Sequence, residues 1–166
     1  SSRLFDTAPA YGESERVLGK YLGNEDRIVT KTISINSSLI NENDIVNVRK
    51  SFFNSLELLQ CEHVYGLLVH NCENLIKDGS DLLYEFLLKL KNEGKVQKIG
   101  VSVYTSQQID VIFSKYKLDL VQLPINVFDQ RLLRNGLLQS LSDDGIEIHA
   151  RSVFLQGLLL MPLEKI

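Results

Sequence analysis

Short apolar stretches alternate with longer amphipathic ones along this chain, and few folds accept that rhythm. The apolar stretches predict strands at Arg3 to Phe5, Arg27 to Lys31, Val64 to His70, Lys98 to Ser102, Leu120 to Leu123 and Ile146 to Ala150. Between them, three-and-four spacing predicts helices at Glu13 to Leu22, Glu42 to Leu59, Ser80 to Glu93, Ser106 to Tyr116 and Arg131 to Asp143. In the second helix Ile45, Val48, Phe52, Leu56 and Leu59 make one apolar stripe to lay against a sheet. Helix-stopping turns, Gly23-Asn24, Asn92-Glu93-Gly94 and Asp143-Asp144-Gly145, agree with these divisions. Strands that alternate with helices pair in parallel, so the expectation is an α/β architecture of six β/α units in a single domain spanning residues 1–166.

Two arrangements fit that order. A closed eight-stranded β/α barrel takes about 250 residues, so a chain of 166 residues would be a partial (β/α)8 (TIM) barrel. The alternative is a smaller, open, doubly wound sheet. Gly94, Gly100 and Gly157 do not form a GxGxxG run, so the fingerprint expected of many dinucleotide-binding open sheets is missing. Ser1 rather than Met opens the sequence, and a strand follows within a few residues, so the true start is expected elsewhere.

Charge and composition narrow the partners. The 18 Lys and Arg residues are dispersed, and with a net charge of -3 and no basic block there is no footprint for a phosphate backbone. Apolar runs such as Val153 to Met161 fall far short of the roughly 20 residues a membrane span needs, and no charged-then-apolar signal segment opens the chain. The expected compartment is the cytoplasm. Cys61 and Cys72 form no CxxC and share no zinc-like spacing with histidine, so no metal site is expected.

Parallel barrels carry their reactive groups just past the carboxyl ends of the strands. There Asp6 follows Leu4-Phe5, Tyr11 lies on the next loop, Lys31 closes Ile28-Val29-Thr30, and His70 closes Leu67-Leu68-Val69. A tyrosine ordinarily loses its proton only near pH 10. A neighbouring ammonium favours phenolate, and a carboxylate paired with that ammonium keeps it charged and aimed. Such a tyrosine can protonate a carbonyl oxygen as hydride arrives at the carbon, while a histidine on the same rim orients or polarises the carbonyl. Taken singly, each residue also has an ordinary reading: Asp6 in a capping turn, Tyr11 as a loop aromatic, Lys31 as a snorkelling strand end, His70 as a core histidine. Joint placement on one rim favours chemistry. His63 and His149 are read as structural or surface residues, and the two cysteines as filler.

The local strings resemble a known family. Phe5-Asp6-Thr7-Ala8-Pro9-Ala10-Tyr11-Gly12-Glu13-Ser14-Glu15, followed by Leu18-Gly19, is similar to the aldo-keto reductase signature that carries the family's Asp and Tyr. Val29-Thr30-Lys31 and Leu67-Leu68-Val69-His70-Asn71 resemble the segments bearing its Lys and His. The resemblance runs on through Gly94 to Ser102, Val121 to Asn126 and Ala150-Arg151-Ser152, and so covers nearly the whole chain. It implies a barrel lacking its first and eighth strands, with the six present corresponding to family strands two to seven. It also implies reduction of an aldehyde or ketone with NAD(P)H, using Tyr11 as acid, Lys31 and Asp6 as its tuners and His70 as the substrate's second partner.

For the cofactor, the resemblance implies that Ser102 and Gln122 hold the nicotinamide carboxamide and that Ser152, Leu155 and Gly157 approach the pyrophosphate. NADP(H) is implied ahead of NAD(H), although the segment that would read the 2′-phosphate should begin only where the chain ends. Two departures stand out. Val103 replaces an asparagine that often follows the serine, and Arg151 replaces an aromatic that often stacks on the nicotinamide. A planar guanidinium could take over that stacking.

Two rivals remain open at this point: a Schiff-base lyase using Lys31 as nucleophile, which Asp6 disfavours, and a cofactor-binding regulatory module with little turnover. A chain two strands short is further expected to expose sheet edges through which copies could pair, and to bind the dinucleotide weakly by itself.

Overall fold

In the computed structural model, which describes residues 3–23, 25–133, 136–162 and 164, six strands form a single parallel sheet in sequence order. They are β1 (Leu4–Asp6), β2 (Arg27–Lys31), β3 (Val64–Val69), β4 (Val96–Ser102), β5 (Leu120–Pro124) and β6 (Glu147–Arg151). The intervening helices are α1 (Ser14–Gly19), α2 (Glu42–Leu59), α3 (Ser80–Asn92), α4 (Ser106–Lys115) and α5 (Leu137–Asp143). Every expected strand is present within two residues of its predicted bounds. The fifth helix starts later than periodicity suggested: 131–133 form a turn, Arg134 and Asn135 lie outside the described residues, and Gly136 precedes the first helical turn with φ +67°. Two 3-10 turns, Cys72–Leu75 and Leu155–Leu160, carry no periodic signature in the sequence.

The sheet is curled into a half-barrel. Gln122 of β5 donates to Asp6 of β1 at 2.8 Å, although these strands are four places apart in the sheet and a flat sheet would hold them about 19 Å apart. Tyr65 of β3 likewise reaches Glu147 of β6 at 2.5 Å. Curling leaves two unequal faces. The convex face meets the helices in the main core, where Val48, Phe52, Leu56 and Leu59 of α2 and Leu83, Phe86, Leu87 and Leu90 of α3 are buried. The concave face holds a small second cluster of Val29, Leu68 and Leu120. Close approach between strands depends on Gly100, where an added Cβ would lie 2.1 Å from the carbonyl oxygen of Leu120.

Helix starts follow local chemistry. At α2 the Asn41 side chain accepts from the Asn43 N–H, and the Asp44 carboxylate accepts from the Asn41 N–H. At α4, Thr105 and Gln108 make the same reciprocal cap; this fixes where the chain turns after β4 and so sets the rim beyond Ser102. No helix among the described residues is long and apolar enough to cross a membrane.

Candidate active site

The carboxyl ends of the strands gather all four residues of the proposed tetrad. Past Asp6, the Thr7 N–H continues the ladder to the Val29 carbonyl at 2.9 Å, and the chain then folds over in a turn closed by the Tyr11 N–H on the Ala8 carbonyl. Gly12 completes the reversal at φ +59°. Two contacts hold the loop and α1 down on β2. The Thr7 hydroxyl donates to Ser14 at 3.0 Å, and the buried Thr30 hydroxyl donates to the buried Glu15 carboxylate at 2.7 Å.

Lys31 is almost wholly enclosed. Its ammonium donates to both carboxylate oxygens of Asp6 at 2.8 Å and to the Thr7 carbonyl at 2.9 Å. Its nitrogen also lies 4.8 Å from the centre of the Tyr11 ring, a cation–π distance. The lysine thus meets the face of the tyrosine while its hydrogen bonds go elsewhere. On the other side the His70 ring stands edge-on to Tyr11, with centres 5.9 Å apart and planes at 87°. Burial first, and then the Lys31 ammonium, push the His70 imidazole below its ordinary value; Asp6 opposes them and Arg151 adds to them. A neutral ring can accept or donate one hydrogen bond. Tyr11 is 46% exposed, so the residue is open to a molecule arriving at the mouth.

Ser102 and Gln122 are register partners on β4 and β5, both buried at the rim. Arg151 leaves the end of β6 and lays its guanidinium 4.1 Å from the centre of the Tyr104 ring, with Nη2 donating to the Val103 carbonyl at 3.4 Å. Its Nε is buried without a hydrogen-bond partner among the described residues. Ser152, Leu155 and Gly157 follow in a segment of irregular backbone, with φ of +59°, +48° and +92° respectively.

Sequence reasoning missed three parts of this arrangement: the Thr7 carbonyl on Lys31, the Gln122 amide on Asp6, and Tyr104 beneath Arg151. The first is a backbone group with no side-chain signal. The other two join strands that are not sheet neighbours, so no local spacing could announce them. A groove of about 320 Å³ between α2 and α3, lined by residues such as Ile45, Phe53 and Phe86, lies in the helical layer and holds none of the rim residues.

Residues 1–162 match the family model described as the aldo/keto reductase family. The chain belongs to that family. Among curated aldo-keto reductases, it is 28% identical over 165 residues to YhdN of Bacillus subtilis, a match that covers 94% of this chain and 49% of that protein. It is 27% identical over 176 residues to an NADH-specific methylglyoxal reductase of Escherichia coli, covering 94% and 53%. The chain therefore spans about half the length of the curated relatives it matches. Among solved structures, the apo aldo-keto reductase of Bacillus halodurans superposes with a TM-score of 0.76 at 21% identity, covering 97% of this chain and 54% of that one. The Klebsiella pneumoniae enzyme, in complex with NADP and acetate, superposes with a TM-score of 0.74 at 19% identity, covering 93% and 54%. These structural likenesses establish the fold: the six-stranded sheet is the curled half of an aldo-keto reductase (β/α)8 barrel.

Proposed function

We propose that this chain carries the chemical face of an oxidoreductase that reduces an aldehyde or ketone to the alcohol, with NAD(P)H as hydride source. The observation that carries the reading is the enclosed Lys31 ammonium, held by Asp6 and Thr7 and set against the ring of an accessible tyrosine. In this scheme a carbonyl oxygen sits between Tyr11 and His70. Tyr11 gives its hydroxyl proton to that oxygen, Lys31 stabilises the resulting phenolate, and Asp6 keeps the ammonium in place. His70, held neutral, donates a hydrogen bond that orients the carbonyl.

A bound dihydronicotinamide supplies the hydride that reaches the carbonyl carbon. The residues present fit such a group. Ser102 and Gln122 lie side by side as polar partners for a carboxamide, and Arg151 holds a buried N–H without a partner beside the mouth. Ser152, Leu155 and Gly157 are assigned to the pyrophosphate side. Relatives include one named for NADH and one complexed with NADP; for this chain we propose NADP(H). A small-molecule carbonyl and a cytoplasmic setting complete the proposal. The Schiff-base alternative is disfavoured because the Lys31 nitrogen is occupied by three donated hydrogen bonds.

The test is Tyr11→Phe, assayed by loss of dihydronicotinamide absorbance against a panel of aldehydes, keto sugars and quinones. Removal of the acid should lower turnover by about 100-fold or more. Undiminished turnover in the variant would show that Tyr11 is not the acid.

A further inference from the structure

Asp6 has a second partner besides Lys31. The Gln122 side chain crosses the mouth from β5 to β1, and its amide N–H donates to Asp6 Oδ1 at 2.8 Å, the same oxygen that takes a hydrogen bond from Lys31. A carboxylate only accepts, so the amide must present nitrogen here, and its orientation is fixed by chemistry. Gln122 is 4% exposed whereas the Asp6 side chain is 42% exposed. The amide is thus a fixed group on the protein's interior, and the carboxylate is the element that water would otherwise solvate and move.

We propose that Gln122 is a positioning residue for the acid: it holds Asp6 on Lys31 and withdraws part of its negative charge, leaving more of the ammonium's field for Tyr11. The proposal rests on Tyr11 being the acid, and it adds a member to the relay from the opposite side of the barrel. Among the described residues, Lys31 from β2 and His70 just past β3 meet the Tyr11 ring, while Asp6 from β1 acts through Lys31 and Arg151 of β6 acts on His70. Gln122 is the uncharged member through which β5 enters. Loss of its N–H leaves the full carboxylate charge opposite Lys31 and makes phenolate harder to form. A carboxylate in its place goes further, because two negative charges then face one ammonium.

The test needs no cofactor or substrate. The alkaline absorbance transition of Tyr11 is isolated by subtracting the curve of Tyr11→Phe from that of each protein. Gln122→Met removes the donor with little change of shape, and it should move the transition to higher pH. Gln122→Glu should move it further, by on the order of one pH unit. In an Asp6→Asn background the effect of Gln122→Met should disappear, because the amide acts through the carboxylate. A transition unmoved by Gln122→Met, or moved equally far when Asp6 is already Asn, overturns the proposal. If the Glu variant does not fold, the Met variant and its double mutant decide alone. Activity of Tyr11→Phe is read separately, so failure of the carbonyl-reduction reading and failure of this relay are distinguishable.

Discussion

Lys31 and Asp6 form an ion pair whose two ends lie in different surroundings: the lysine side chain is 1% exposed and the aspartate side chain 42%. Loss of one partner is therefore not equivalent to loss of the other. In Lys31→Met the remaining carboxylate keeps the Gln122 amide and is already open to water, so stability should change little. In Asp6→Ala an enclosed ammonium is left with the Thr7 carbonyl, a cost of about 1–3 kcal/mol when discounted from a fully buried pair. Urea denaturation of the two variants should rank Asp6→Ala as the less stable, and equal losses would show that the pair is solvated at both ends. Both should lower turnover by about 100-fold or more, as expected for a disabled acid.

His70 supplies a prediction about pH. Its ordinary value is 6.5, and burial, followed by the field of Lys31, holds it lower in the folded protein. At pH 7 the ring should be neutral, and a nitrogen-detected NMR titration should show protonation only below the ordinary range. An unfolded chain takes up that proton first, so the stability linked to the neutral ring is present above the ordinary value and is lost as pH falls through the lowered one. Lys31→Met should move the midpoint upward. A ring already protonated at pH 7 would contradict the geometry.

The order of elements and the strand-end places of Asp6, Lys31 and His70 are legible in the sequence for a common reason. Both are local: a strand end is marked by apolar residues before it, and Asp6, Lys31 and His70 each close such a run. Legibility stopped where the curl of the sheet decides the contact. Gln122 could be placed at the end of β5, but its partner Asp6 lies 116 residues away on a strand that is not its neighbour. His149 joins a cluster that shows the same limit. It reads as a surface or structural histidine, and the structure sets its Nε2 2.6 Å from Glu147 among Lys98 and Tyr65. The late start of α5 had another cause, because 131–133 form a turn stabilised by Arg131 bonding Asp129, a pairing that periodicity does not register.

Glu147 should make the fold sensitive to acid. Burial raises its carboxyl, but hydrogen bonds from Lys98, Tyr65 and His149 outweigh that and hold it at about 2, against an ordinary 4.5. Because the folded value is depressed, its contribution is complete above the ordinary value and is lost as pH falls from about 4.5 toward 2. The amount at stake is on the order of 2 kcal/mol, since the side chain is only 27% exposed and its partners come from β3, β4 and β6. Denaturant midpoints measured down this range should fall more steeply for the wild type than for Glu147→Gln. Parallel curves would mean that the cluster does not hold Glu147 ionised.

Two glycines on the sheet should respond very differently to one added methyl group. At Gly66 a Cβ would meet the tips of Leu120 and Val29 at 3.1 Å, side chains that can shift by a few tenths of an ångström. At Gly100 the same atom would lie 2.1 Å from the Leu120 carbonyl oxygen and 2.8 Å from its carbon, both backbone. Gly100 is also the register partner of Leu120, so relief requires β4 and β5 to separate where they are paired. Overpacking that side chains can absorb costs roughly 1–3 kcal/mol, and Gly66→Ala should fall at or below the lower end. Gly100→Ala should exceed the upper end or yield no folded protein. Since Ser102 and Gln122 lie two residue pairs further along the same ladder, any folded Gly100→Ala protein should also have a displaced Gln122 and a weakened hold on Asp6. Thermal denaturation ranks the two variants, and a Gly100→Ala protein as stable as Gly66→Ala would show that the β4–β5 contact is looser than the geometry requires.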